Sequence, residues 1–352
     1  MIEYFCSEML IASHIRSIEE LRSLPTNTQY ILTIDFAPHE DELIKMFYYM
    51  RNIVEISFTS TFDISNIECM TRMFRNCESL RKVDMHNLDT SNIKDMSEMF
   101  YNCFSLTEVI FGDKFNTKNV ANFSNMFNHC ISLQSIDLST FDTSNAVILA
   151  GMFNSCARLT NIMFGSTFTA KNAKYISHMF NNCCALKTLY FPLTFETDSV
   201  EQMYGTFEGC SLLESLDVRS FNTKNVINMA NMFRNCTRLK NIDISGFDLS
   251  KVITLSQTFQ NCSSLQSMYL NLLFNTTLTT IDNVFSGCTS LKSVIFEDVP
   301  ITCRYFEKAF ANCVNLEYID FVDGVAIERR KATNMFDNCK SLLSTVGITY
   351  LL

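Results

Sequence analysis

Met232-Phe233-Arg234-Asn235-Cys236-Thr237-Arg238-Leu239-Lys240-Asn241-Ile242-Asp243-Ile244 is a phrase that recurs, with small changes, from near residue 46 to the C-terminus. Its Phe returns at Phe74, Phe100, Phe127, Phe153, Phe180, Phe207, Phe233, Phe259, Phe285, Phe310 and Phe336, in steps of 25 to 27 residues. A fixed period in this range marks a solenoid, in which each repeat is one supersecondary unit that can bury its apolar side only against its neighbours. An uninterrupted repeat predicts one quasi-linear body rather than the two domains that 352 residues would ordinarily suggest.

One coil shows the logic of the others. In the segment that opens at Phe221-Asn222-Thr223, the apolar positions Val226, Met229, Met232 and Phe233 fall at i, i+3, i+6 and i+7, which predicts a short α or 3₁₀ helix with Asn222 and Thr223 at its cap. The position two after the Phe is Asn or Gly in nine of eleven coils, with His129 and Ser155 the exceptions, and predicts a left-handed residue that ends the helix. Leu239 to Ile244 then predicts a short strand of a parallel sheet, with Ile242 and Ile244 inside. Strand centres at Ile34, Ile56, Val83, Val109, Ile136, Ile162, Leu189, Leu216, Ile242, Met268, Val294, Ile319 and Thr345 give about 13 coils. At a strand spacing of about 4.8 Å the body is on the order of 60 Å long.

The expected organisation is an N-terminal helical cap over residues 1–30, a solenoid over 31–345 and a C-terminal end over 346–352. The cap rests on Met9, Leu10, Ile15, Ile18 and Leu21, with Pro25 as its stop. A solenoid needs such a cap, because its first coil would otherwise expose an open core and a free strand edge.

Eleven of the 15 cysteines occupy one repeat position, three after the Phe, from Cys77 to Cys339. That register predicts a column of small buried thiols. Disulfides between neighbouring coils are the alternative; coil spacing does not forbid them by distance, but inward-pointing side chains usually lack the dihedral. Zinc needs paired ligands such as two Cys-x-x-Cys units, and the close pair Cys183-Cys184 is directly adjacent. No metal and no cofactor are expected.

The phrases Phe141-Asp142-Thr143-Ser144-Asn145 and Asp89-Thr90-Ser91-Asn92-Ile93-Lys94-Asp95-Met96-Ser97-Glu98-Met99-Phe100 resemble the 26-residue repeat of BspA-like leucine-rich repeat surface proteins, and the resemblance runs from about residue 46 to 345. It implies an α/β leucine-rich repeat solenoid and, in many members, adhesion to host proteins or to other cells. Where the common leucine-rich repeat has an Asn ladder, this chain has Phe141, Phe221 and Phe247, which predict a second Phe spine. The start Met1 to Glu8 lacks the positive charge of a signal peptide, and no lipoprotein Cys or sorting tail accompanies the repeat. Cytoplasm is therefore the alternative to a cell surface.

Function classes narrow from charge and motif. The net charge of −9, without any Lys/Arg run, opposes a phosphate backbone, so nucleic acid is not an expected partner. No apolar run approaches the roughly 18 residues of a membrane span. The five histidines, His14, His39, His86, His129 and His178, fall in different repeats or in the cap, with no His-Glu-x-x-His, nucleophile elbow or phosphate-binding Gly loop. The chain is not expected to be an enzyme.

What the repeat does offer is a long outward sheet face. The column two after the repeat Leu includes Lys82, Glu108 and Tyr318; the column four after it reads Asp84, Ile110, Asp137, Met163, Tyr190, Asp217, Asp243, Tyr269, Ile295 and Asp320. Tyr and apolar anchors interleaved with acids suit a protein partner, and the acids favour a basic one. The expectation is a non-enzymatic protein-binding solenoid, with host or neighbouring-cell surface proteins as partners and an intracellular scaffold as the alternative. An Asp in this column can equally serve only to keep the strand soluble.

Overall fold

A computed structural model describes residues 10–351. The first residues of the expected cap, Met9 among them, the start Met1 to Glu8 and Leu352 lie outside the described residues. The chain is a parallel β-solenoid. Its strands are β1 (Leu10–Ile15), β2 (Gln29–Ile34), β3 (Ile53–Phe58), β4 (Lys82–Met85), β5 (Glu108–Phe111), β6 (Ser135–Leu138) and β7 (Asn161–Phe164). They continue as β8 (Thr188–Leu189), β9 (Ser215–Leu216), β10 (Ser267–Asn271), β11 (Ser293–Glu297), β12 (Tyr318–Glu328) and β13 (Ser344–Leu351). Hydrogen bonding divides the column into blocks β1–β5, β6–β7, β8–β9 and β10–β13. On the opposite side of each coil, single parallel bridges link Cys69, Asp95, Asn122, Ile148 and onward to Tyr305.

The core is a stack of rings. Phe47 joins the repeat phenylalanines in one continuous column ending at Phe336, with successive centroids 5.1 to 5.7 Å apart and rings within 20° of parallel. Eleven such contacts join twelve rings, one per turn of the solenoid. The second spine is present as well: Phe115 stacks on Phe141, and Phe168 on Phe195, at 5.7 and 6.1 Å. Offset parallel rings repeated at the coil spacing are what one apolar position per coil produces when coils stack in register.

The cysteine column packs beside the rings as free thiols. Each Sγ donates to the carbonyl of the Phe one coil earlier, from Cys77 on Phe47 (2.9 Å) through Cys236 on Phe207 (3.1 Å) to Cys339 on Phe310 (3.0 Å). Burial pushes these thiols up, Cys156 and Cys262 to about 12, because an ionised sulfur has no solvation there.

Four expectations are corrected. The connecting segment of the repeat is not a helix. In the coil of Phe233, the N–H groups of Met229, Asn231, Phe233 and Asn235 donate to the next coil, at Thr254, Ser256, Thr258 and Gln260. The alternate N–H groups of Met232, Arg234 and Cys236 close turns onto the residue three earlier. Asn231 and Asn235 carry φ of +59° and +61°; a helix cannot contain such residues, whereas a turn whose third residue is left-handed requires them. Successive turns place Met229, Met232 and Phe233 on one side, as a helix would, and so imitate its period. His129 and Ser155 are left-handed despite their side chains, at +61° each.

Second, the Asp-Thr-Ser-Asn motif joins coils rather than capping helices. Asp142 Oδ1 accepts from Ser144 N (2.9 Å), buried Thr143 donates to Thr169 O and accepts from Thr169 N (both 2.7 Å), and Asn145 donates to Lys118 O of the preceding coil (2.9 Å). Thr223 likewise donates to Asp248 O (3.0 Å), and Asn222 Oδ1 accepts from Lys224 N (3.3 Å).

Third, the N-terminal segment is not a purely helical cap. Leu10–Ile15 is a strand in parallel register with Gln29–Ile34, and only Ile18–Arg22 is helical, capped by Ser17. The strand column therefore starts before residue 31. At the other end, residues 346–351 belong to β13. Fourth, Leu239 to Ile244 forms no strand, and Ile242 is only half-buried while Ile244 is buried.

Candidate binding face

The strand column carries its inward residues into the Phe stack and its alternate residues outward. Register aligns the outward positions across coils: Asp84 opposite Ile110, Asp137 opposite Met163, and Tyr269 opposite Ile295, which in turn lies opposite Asp320. Lys82 and Glu108 form an ion pair at 3.1 Å. Tyr190, Asp217 and Asp243 fall just past or between the paired strands.

Exposure separates the column into two kinds of residue. Met163 (53%), Tyr190 (77%) and Tyr269 (44%) are open to solvent, whereas Ile110 and Ile295 are half-buried. The acids have local work. Asp84 Oδ1 accepts from His86 N (3.0 Å) and lies 2.6 Å from His86 Nδ1; Asp137 accepts from Ser139 N (2.8 Å). Asp217 takes three hydrogen bonds from Arg219, at 2.6 to 3.1 Å, and Asp243 takes two from Ser245. Each of these four closes the turn that follows it by an Asx contact two residues on. The Arg219 guanidinium holds Asp217 at about 2, and the Ser245 hydroxyl and amide hold Asp243 below the usual carboxylate range.

Tyr318 and Asp320 differ from the rest of the column. The Tyr318 hydroxyl donates to Asp320 Oδ2 (2.7 Å), which raises the phenol, and Asp320 Oδ1 is buried with no partner among the described residues. Tyr269 donates to Glu297 one coil on, which raises its phenol in the same way and fixes its ring on the face.

Two grooves open on this side. One, of about 470 Å³, is lined by Asn241–Ser245, Ser267, Met268, Tyr269, Ser293 and Ile295. The other, of about 340 Å³, is lined by Tyr190, Phe191, Pro192, Leu193, Asp217 and Arg219. Leu193, fully exposed, extends this second patch beyond the expected columns; its signal is Pro192-Leu193, which stands where the preceding coil has the polar turn Gly165-Ser166. A third concavity, of about 580 Å³, lies among the first coils, where Arg51 sits over the Tyr49 ring at 5.6 Å.

Among the described residues no group of three or more His, Cys, Asp or Glu could hold a metal ion, and no helix is long and apolar enough to cross a membrane. Of the histidines, His39 starts the short helix Glu40–Leu43 with its N–H on Glu42 (2.9 Å), His14 lies 3.6 Å from Asp35, and half-buried His129 and His178 are lowered by desolvation.

No curated protein matches this chain. Among solved structures, it is similar to a leucine rich cell surface protein from Faecalibacterium prausnitzii, at 17% identity over 90% of this chain and 83% of that one, with a TM-score of 0.43. A leucine-rich repeat protein from Bacteroides ovatus shares 17% identity over 98% and 83% of the two chains, with a TM-score of 0.37. One from Eubacterium ventriosum shares 13% over 89% and 86%, with a TM-score of 0.34. A family pattern described as "Mycoplasma protein of unknown function, DUF285" matches residues 41–156, 70–190 and 193–298, the first two overlapping as one repeated phrase allows. These matches cover more than two thirds of the sequence, and the chain belongs to the DUF285 family.

Proposed function

We propose that this chain is a non-enzymatic protein-binding solenoid of the BspA-like leucine-rich repeat type, which adheres to proteins of a host or a neighbouring cell through the outward face of its strand column. The observation that carries this reading is the set of large side chains, Met163, Tyr190 and Tyr269, held in the open on a scaffold whose opposite side is a closed stack of rings. An aromatic anchor on a rigid support loses little conformational freedom when it binds. Tyr269 is further tethered by Glu297. The net charge of −9 steers basic partners toward the molecule. The acids of the column, four of them engaged in turns, add to that field.

Replacing Tyr190 and Tyr269 together with Ser is expected to weaken capture of host-cell surface proteins while leaving the melting temperature unchanged. Capture equal to the wild type would remove the face assignment. Protease shaving of intact source cells, with a cytosolic protein as lysis control, is expected to release peptides from residues 60 to 340. Their absence would favour the second reading, an intracellular scaffold, to which the fourteen free thiols among the described residues point, since such thiols persist most readily in a reducing compartment.

A further inference from the structure

Strand pairing is interrupted between β5 and β6, between β7 and β8 and between β9 and β10, and only in the last of these does a coil of the described repeat lie unpaired on both sides. Between β9 and β10, residues 241–244 run beside both neighbours without pairing to either. The N–H groups of Asn241, Ile242, Asp243 and Ile244 have no acceptor among the described residues, and the carbonyls of Asn241, Ile242 and Asp243 have no donor. The edge of β10 that faces this segment is free as well, since β10 pairs only with β11. Backbone groups of this kind are strong and obligatory hydrogen-bonding groups. Elsewhere in the column the equivalent groups at Val83 and Val294 are paired on both sides.

The larger groove of the face lies over this opening. Ile244 and Met268 line it although their side chains are buried in the core, so the floor of the groove there is the open backbone itself. Tyr269 and Ile295 form an apolar wall, and ionised Asp243 stands at the rim with only Ser245 as its hydrogen-bond donor. Beneath the opening, Met232, Ile244, Phe247 and Leu270 surround a small apolar void.

We propose that this opening is a docking slot for an extended polypeptide segment with a basic side chain, which takes backbone hydrogen bonds from residues 241–243 and sets its cation against Asp243. The proposal rests on the protein-binding reading above and names the kind of segment that the partner presents. Main-chain pairing supplies the affinity, and alternate side chains lying on Tyr269 and Ile295 supply the selection, as in other cases where a peptide completes a sheet.

The test uses the full chain and random octapeptides selected by display. Before selection, hydrogen exchange should show fast amides at residues 241–244 and slow ones at Val83 and Val294. Enriched peptides are expected to alternate apolar residues around a Lys or Arg and to slow exchange at 241–244. Methylating one central backbone nitrogen of the peptide should weaken binding about tenfold, the worth of one hydrogen bond to an otherwise unpaired group. Asp243→Asn should abolish the preference for a basic residue.

The proposal is overturned if no peptide is enriched, if amides 241–244 are already slow in the free chain, or if binding ignores both N-methylation and Asp243→Asn. Tyr190→Ser, in the other groove, separates the two readings. A partner whose capture falls with Tyr190→Ser but is untouched by competing peptide would refute the slot and leave protein binding standing; a partner indifferent to both would remove both.

Discussion

Each coil depends on a few residues whose chemistry is specific. Phe180 is fully buried between Phe153 and Phe207, at 5.6 and 5.7 Å, so Phe180→Ala removes a ring that its neighbours cannot replace. The expected loss in urea unfolding is roughly 3–5 kcal/mol; a neutral result would mean that the inward and outward faces are assigned the wrong way round. Asn235 answers a backbone demand instead. With φ at +61°, Asn235→Val is expected to destabilise by about 1–2 kcal/mol, while Asn235→Gly should stay close to the wild type.

Between neighbouring coils the buried threonines carry much of the register. Thr143 gives and takes a 2.7 Å hydrogen bond with the backbone of residue 169, and both partners are closed off from water. Thr143→Val keeps the shape and orphans both groups, at about 1–3 kcal/mol each. Ser144→Ala next to it should change stability by less than about 0.5 kcal/mol, because only the backbone carbonyl of Ser144 is used by the preceding or following coil. Equal effects from the two would mean that the motif acts through local turn propensity and not through contact between coils.

The thiol column is a property of the whole solenoid. An unfolded cysteine ionises near 9.0, whereas burial holds Cys156 and Cys262 up to about 12. Between those values the unfolded chain releases protons that the folded chain keeps, so stability is full below about pH 9 and falls as pH rises toward 12. The melting temperature should therefore be level from pH 6 to 8 and drop steeply above about pH 9, with a shallower drop in the Cys156→Ala/Cys262→Ala variant. The same slope in both proteins would assign the alkaline loss to other groups. In the native state at neutral pH, Ellman's reagent should find half-exposed Cys69, Cys184 and Cys339 well before the buried cysteines from Cys77 to Cys313.

The amino-acid sequence by itself determined the period, the inward positions and the thiol column, because one apolar residue per coil can be buried only by stacking copies in register. It also marked the left-handed position after each Phe, since Asn and Gly recur there. Tertiary structure decided the rest. The position two before the Phe is left-handed too, but its residues run from Arg72 and Glu98 to Gly205 and Asn231, and hydrogen bonds to the next coil impose the conformation on side chains that disfavour it. Those same bonds between coils, absent from any local pattern, turned an expected helix into a ladder of turns. Residues 241–244 are unpaired, although Leu239 to Ile244 matches the strand phrase as well as its paired counterparts do. The outward columns were legible as positions. Which of their residues stand free and which close turns depended on the Asx contacts of Asp84, Asp137, Asp217 and Asp243, and those form only once each strand has ended in its folded place.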